Sequence, residues 1–227
     1  MSSDAAVIFD MDGVLVDNKH IHRKAWVEFC KKHNHPIKEE DFDKIGFGKT
    51  NQEYLSYFFQ REVPESEAVK LGEEKERIYR DIIEHNIEPV KGLIPLLQKI
   101  KDQYGFKTAV VSSAPRTNID FVMEKLKIYN YFDVLVDESM VHEGKPNPDI
   151  YVKAAQLLEV MPEHTLVFED SLFGVEAALR AGMIVAALTT SHNKKELSEF
   201  SLWKVIKDFS EIEAEEINAI LNQINGC

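Results

Sequence analysis

Cysteine is nearly missing from this chain of 227 residues: two are present, Cys30 in a helix-like stretch and Cys227 at the last position. Neither has the spacing of a disulfide framework or of paired metal ligands, so covalent staples are not expected and a reducing compartment fits. Long apolar runs are lacking too. No stretch approaches the ~18 uninterrupted apolar residues of a membrane span, and the segment from Met1 to Phe9 has no basic part ahead of an apolar one. The expectation is a cytoplasmic protein, neither secreted nor membrane-embedded. Positive charge is scarce, with 27 Lys and Arg against 39 Asp and Glu, a net charge of −12. Such a surface repels a phosphate backbone, and no basic cluster with interleaved aromatics offsets it, so nucleic acid is not an expected partner. Repeats and low-complexity tracts are also absent.

What is present is an ordinary globular composition, 44% hydrophobic and 29% charged, enough to bury a core. Short apolar, partly β-branched runs recur at Ala5–Asp10, Thr108–Ser112, Val134–Asp137, Thr165–Glu169 and Ile184–Leu188. Runs of this length, separated by helical patterns, read as strands buried on both faces of a parallel sheet. The expected fold is α/β, a Rossmann-like doubly wound parallel sheet. Helices are expected over Arg116–Lys127, Asp149–Glu159, Leu172–Ala181 and Ser210–Ile224. Asn147-Pro148 reads as a cap with proline at the first helical position, Gly182 as a stop, and Ser210 with Glu213 as a capping box.

One stretch breaks the alternation. From about Asn18 to Glu88 only amphipathic helical patterns occur, such as Ile21, Ala25 and Phe29 on one face. Residues 18–88 are therefore read as an inserted α-helical domain, with 1–17 and 89–227 forming the sheet domain. Thr50 and Glu53 have capping-box spacing, and Gly46-Phe47-Gly48-Lys49 reads as an exposed loop. Of the eight histidines, His20/His22 and His33/His35 are close pairs, but a spacing of two places side chains on different helix faces.

The strongest chemical signal is Asp10-Met11-Asp12-Gly13-Val14-Leu15-Val16-Asp17 directly after the first strand. Two carboxylates then stand at the carboxyl end of a central strand, where open α/β sheets bind ligands. A calcium loop would need further acidic positions where Val14, Leu15 and Val16 stand. Ser112-Ser113, Lys145-Pro146 and Glu169-Asp170 also follow strands or precede a helix. Singly each is an ordinary turn or cap; in this order they are specific.

The set DMDGVLVD, VVSSA, GKPNPDIY and VFEDSLFGVEAA resembles the haloacid dehalogenase superfamily, in its subgroup with a helical cap inserted after the first motif. Within it the likeness is greatest to sugar-phosphate phosphatases and β-phosphoglucomutase-like proteins. The resemblance implies that Asp10 is the nucleophile forming an aspartyl-phosphate and that Asp12 is the general acid/base. It implies that Ser112 and the Ser113 backbone N–H grip the phosphoryl oxygens and that Lys145 balances the charge. Asp12 argues against a true dehalogenase, whose branch resembles Asp-x-Tyr here.

Asp10, Asp12, Glu169 and Asp170 set four acids against Lys145, leaving −3 before an anionic phosphate arrives. Such a cluster disables its own nucleophile unless a divalent cation intervenes. The donors are all oxygens, which favours Mg²⁺ over Zn²⁺. The matched positions give the ligands as Asp10, the Asp12 carbonyl and Asp170, with Glu169 ligating directly or through a water.

In the insertion, His22 and Trp26 share a helix face and fall where mutases of this type carry a similar pair. Lys49 falls at a mutase arginine, and Lys75 matches a cap lysine of mutases and phosphatases; a solvated face is the alternative for Lys75, and packing for Trp26. Arg116 departs from the mutase asparagine and resembles phosphatases, or caps its own helix. The expected activity is a Mg²⁺-dependent phosphohydrolase acting on a small phosphorylated metabolite, a sugar or polyol phosphate, as a monomer. A β-phosphoglucomutase-like mutase and a non-catalytic phosphometabolite-binding protein are the alternatives.

Overall fold

Ala6–Asp10 (β1) is apolar until its last residue, and alternate side chains feed two separate cores: Val7 and Phe9 on one face of the sheet, Ala6 and Ile8 on the other. A strand buried on both faces cannot sit at an edge, and β1 is central. The computed structural model describes residues 4–46 and 49–225. After β1 come Lys19–Lys32 (α1), Glu39–Ile45 (α2), Asn51–Phe59 (α3) and Glu65–Ile83 (α4). Then follow Leu93–Lys99 (α5), Lys107–Val111 (β2), Arg116–Leu126 (α6), Val134–Val136 (β3) and Asp149–Leu158 (α7). Thr165–Glu169 (β4), Leu172–Arg180 (α8), Ile184–Leu188 (β5), Lys194–Leu197 (α9), Lys204–Ile206 (β6) and Ala214–Asn225 (α10) complete the order.

The six strands are parallel in the order β3-β2-β1-β4-β5-β6. The order reverses beside β1, the switch point at which such sheets open a crevice at their carboxyl ends. Asp10 pairs with Val111 and Phe9 with Phe168, so the residues that follow β1, β2 and β4 emerge side by side. Phe9 stacks on Phe168 at 5.1 Å between ring centroids, which locks that register from below.

Between β1 and α5 the described residues hold four helices and no strand. Trp26, Phe29, Phe42, Tyr54, Leu55 and Phe58 belong to a third apolar cluster, separate from the two that flank the sheet. Among the described residues, no helix is long and apolar enough to cross a membrane.

Local departures from the expectations have physical reasons. The Thr50–Glu53 capping box forms, but Ser210 does not cap α10. Asp208 captures the Ser210 amide at 2.9 Å in a short turn, and Glu216 caps the Glu213 amide at 3.0 Å instead. Asn147 is not the cap of α7: Pro148 takes that position, and the Asn147 side chain accepts from the Asp149 amide at 2.9 Å one residue earlier. Edge strand β6 has only three residues and no alternation long enough to announce it. Phe47 and Gly48 of the expected loop lie outside the described residues, whereas Gly46 and Lys49 are half-buried rather than exposed.

Candidate active site

The first motif turns sharply after Asp10. The Gly13 amide donates to the Val16 carbonyl at 2.7 Å, while Met11, Val14, Leu15 and Val16 bury completely or nearly so. The apolar half of the motif is thus core, which is why it carries no calcium-loop acids. Gly13 has φ +84°, and a β-carbon there would lie 1.8 Å from Asp170 Oδ2. Only glycine lets the turn approach the acid so closely.

Lys145 is 4% exposed, and its ammonium donates to Asp10 Oδ1 and, at 2.6 Å, to Glu169 Oε1. Glu169 is saturated. Its Oε1 also accepts from the Tyr151 hydroxyl at 2.8 Å, and its Oε2 accepts from the Asp170 and Ser171 amides and the Ser171 hydroxyl. Burial opposes ionisation of Glu169, yet Lys145 and these donors hold its pKa below the usual range. Ionised Glu169 then drives up its neighbours: Asp170 rises to about 8 through burial and Glu169, and Asp10 is raised by burial and by Glu169, Asp170 and Asp12, against the pull of Lys145.

Asp170 Oδ2 accepts from Ser191 and lies 3.2 Å from Thr190 Oγ1, but its Oδ1 is buried without a partner. Oxygens of Asp10, Glu169 and Asp170 lie within 4.8 Å of one another. An orphaned carboxylate oxygen in an all-oxygen cluster whose acids are pushed towards neutrality fits a hard divalent cation, which would reverse those shifts. Because Glu169 already has both oxygens engaged, Asp10 and Asp170 are the better-fitted donors.

Asp12 faces the other way. Its Oδ1 accepts from Asn18 Nδ2 at 2.6 Å and lies 3.3 Å from His22 Nε2, and its Oδ2 is 3.4 Å from Ser112 Oγ. Burial alone would raise its pKa, but His22, Asn18 and Lys75 bring it below the usual value. Lys75 Nζ is 2.9 Å from His22 Nδ1. An ammonium only donates, so Nδ1 accepts and the ring proton stays on Nε2, facing Asp12. His22 stacks on Tyr79 at 4.0 Å between centroids, and Asn18 also donates to the Tyr79 hydroxyl at 2.6 Å.

Lys75 is 2% exposed, so the solvated alternative for it does not hold: it lies 5.0 Å over the Trp26 ring and 2.8 Å from Glu76 Oε1. Its neighbour Glu76 bridges to α6, accepting from Asn118 Nδ2 at 2.6 Å. A cavity joins the two regions, lined on the sheet side by Asp10, Asp12, Ser112, Ser113, Lys145 and Asp170. On the insertion side it is lined by His22, Trp26, Lys49, Asn51, Lys75 and Glu76, with the aromatic faces of Phe42 and Tyr54. Trp26 is fully buried by packing, and its Nε1 has no hydrogen-bond partner.

Of the residues expected at the site, Arg116 alone is not brought there. It pairs with Asp120 at 2.8 Å, is half exposed, and does not line the cavity. The i, i+4 geometry of α6 satisfies it locally. Sequence reasoning missed Asn18, Glu76, Asn118, Tyr151, Thr190 and Ser191. Thr190 and Ser191 follow the end of β5, and the rule that finds Ser112 would have found them. Tyr151 closes GKPNPDIY, one helical turn beyond its cap.

An acid cluster and a buried lysine thus stand together at the switch point of a doubly wound sheet, where such folds bind ligands. The model of haloacid dehalogenase-like hydrolases matches residues 7–188, and the chain belongs to that family. A phosphorylated carbohydrates phosphatase of Thermotoga maritima is 31% identical over 225 residues, covering 96% of this chain and 99% of that protein. Among solved structures, a family IA hydrolase of Entamoeba histolytica superposes with a TM-score of 0.85 at 29% identity, over 96% of this chain and 99% of that one. A β-phosphoglucomutase of Clostridium difficile gives 0.82 at 26% identity, over 100% of both chains. The chain is an enzyme of this hydrolase family, with a phosphatase among its relatives.

Proposed function

We propose that the chain is a Mg²⁺-dependent phosphohydrolase that removes the phosphoryl group of a sugar or polyol phosphate through an aspartyl-phosphate on Asp10. The observation that carries this reading is the opposite placing of two carboxylates two residues apart: Asp10 lies against Lys145 in the oxygen cluster with Glu169 and Asp170, whereas Asp12 turns to Asn18, His22 and Ser112. Carboxylates set in such different surroundings take different chemical roles.

Asp10 attacks phosphorus and the ester oxygen leaves. Asp12, whose pKa an arriving phosphate raises by like-charge repulsion, protonates that oxygen. Ionised again, Asp12 takes a proton from water as it attacks the aspartyl-phosphate, which restores Asp10 and frees inorganic phosphate. Lys145 and Ser112 hold the transferring oxygens, and Glu169 holds Lys145. Mg²⁺, held by Asp10, Asp170 and the Asp12 carbonyl, would neutralise the acids and the charge on the phosphoryl oxygens. His22 fixes Asp12 at the mouth of the cavity, and residues 18–88 act as the cap that excludes water from it. The Thermotoga phosphatase, alike over nearly the full length of both chains, supports a phosphorylated carbohydrate as substrate.

The test is phosphate release from a panel of sugar and polyol phosphates, with and without a chelator, beside Asp10→Asn. Release that needs a divalent cation and vanishes in the variant is expected. Conversion of a hexose 1-phosphate to its 6-phosphate isomer with no free phosphate would replace hydrolysis by a mutase.

A further inference from the structure

The insertion side of the cavity carries two lysines, and each is neutralised where it stands. Lys75 Nζ lies 2.8 Å from Glu76 Oε1, and Lys49 Nζ lies 3.1 Å from Glu53 Oε1. Two nearby arginines are engaged elsewhere: Arg80 with Glu73 and Asn118, Arg116 with Asp120. Among the described residues lining this wall, positive charge is therefore not in excess. We propose that Glu76, supported by Glu53, fits the cap wall to the uncharged, hydroxyl-bearing end of a monophosphate and rejects a second phosphate. This rests on the phosphohydrolase reading above and names its substrate class.

A phosphate monoester carries about −1.5 to −2 at neutral pH. At the nucleophile, Lys145 and a bound cation meet that charge. At the far wall a second phosphate would approach the Glu76 carboxylate, which is 2% exposed and whose pKa, despite burial, Lys75 holds below the usual range. Anion against buried anion is disfavoured strongly where water is scarce. A hydroxyl meets the opposite reception. A carboxylate offers about four lone-pair positions, and Glu76 spends them on Lys75, Asn118 and Asn51, which leaves room for one more donor. Trp26, which lines the same wall, has its Nε1 buried without a hydrogen-bond partner. The Trp26, Phe42 and Tyr54 rings supply an apolar face for C–H groups. Lys49 lies 4.4 Å over the Phe173 ring of α8, so its charge is shared between Glu53 and an aromatic face rather than presented bare.

The experiment measures phosphate release by the full chain with Mg²⁺, using hexose monophosphates and, for each, the bisphosphate made by phosphorylating the far hydroxyl. Wild type is expected to favour the monophosphate by about tenfold or more in kcat/KM. Glu76→Gln keeps the volume and the Asn118 contact but leaves Lys75 in surplus. It should narrow that ratio by about fivefold or more, chiefly through the KM of the bisphosphate. Glu53→Gln, at a partly exposed site, should narrow it in the same direction by less, and decides the matter if Glu76→Gln does not fold. Equal or better use of bisphosphates by wild type, or a ratio that neither variant moves, overturns the proposal while leaving hydrolysis intact. Release from no member of the panel sinks the phosphohydrolase reading, and this inference with it.

Discussion

Lys145 and Lys75 are both buried lysines, 4% and 2% exposed, on the wall of one cavity, the first between two carboxylates and the second between a carboxylate and an imidazole. Lys145 is clasped by Asp10 and Glu169, which end two strands paired to each other. Sheet register sets the distance between those carboxylates, and register cannot slip while both faces are buried. Lys75 sits in mid-helix and reaches His22 of α1 and Glu76 of its own helix, while Glu76 reaches Asn118 of α6. Nothing but packing between helices and across the insertion boundary sets those distances. The sheet side is built to hold chemistry constant, and the insertion side can be retuned by one substitution.

If that contrast is sound, damage on the sheet side should be the deeper. Asp10→Asn removes the proposed nucleophile and should cost roughly 10⁴-fold or more in kcat, read by phosphate release under saturating substrate. Lys145→Met should come close, at about 10³-fold, and should also destabilise the fold by about 3 kcal/mol, since Asp10 and Glu169 would remain buried without their cation. Activity of Lys145→Met within tenfold of wild type would break the comparison at its stronger end.

His22→Ala on the insertion side should cost less, about 10²-fold in kcat, because Asp12 is misplaced rather than lost. Asn18 would still hold Asp12 at 2.6 Å. A loss equal to that of Asp10→Asn would show that the insertion carries chemistry and not only position. The inhibition constant of inorganic phosphate should stay nearly unchanged, since Ser112 and Lys145 are untouched.

The sheet side was legible because its residues are local to strand ends. Once β1, β2 and β4 are recognised, Asp10, Ser112 and Glu169 have nowhere else to be. The insertion side was legible only in outline. His22 and Lys75 were visible as candidates, but a lysine in a helical pattern is ordinarily solvated. Its burial follows from partners that sequence separates by 53 residues in one case. Glu76 and Asn118 carry no local signal at all, since their meeting depends on how α4 lies against α6. Arg116 misled because a first-turn arginine has two outlets, a ligand or Asp120 four residues on, and the nearer one won. Ser210 misled in the same way, its amide taken by Asp208.

Gly174 separates local from tertiary rules on the sheet side. In an exposed helix interior, glycine to alanine stabilises by up to about 1 kcal/mol. Here a β-carbon would fall 1.6 Å from Glu169 Oε1, so Gly174→Ala should instead destabilise by roughly 1–3 kcal/mol, seen as a lower urea midpoint with an unchanged slope. A raised midpoint would mean that Glu169 is free to move, and the rigidity ascribed to the sheet side would fail.

The smallest effect tests the boundary itself. Glu138, after β3, has its pKa raised from 4.5 to about 7, first by burial and then by Glu76 across the boundary and by Asp137, with Lys75 pulling the other way. Between those two values the folded chain holds a proton that the unfolded chain has released, so stability falls as pH rises from 4.5 to 7 and the loss is complete above 7. Allowing for the part exposure of this side chain, the loss should be about 1–2 kcal/mol. Glu138→Gln has no such proton to lose. Its melting temperature should match wild type near pH 4.5 and exceed it at pH 8. In the double variant with Glu76→Gln the advantage should shrink, because one of the charges opposing Glu138 is gone. An advantage that does not shrink would place the cause in burial and Asp137 and remove Glu76 from the account.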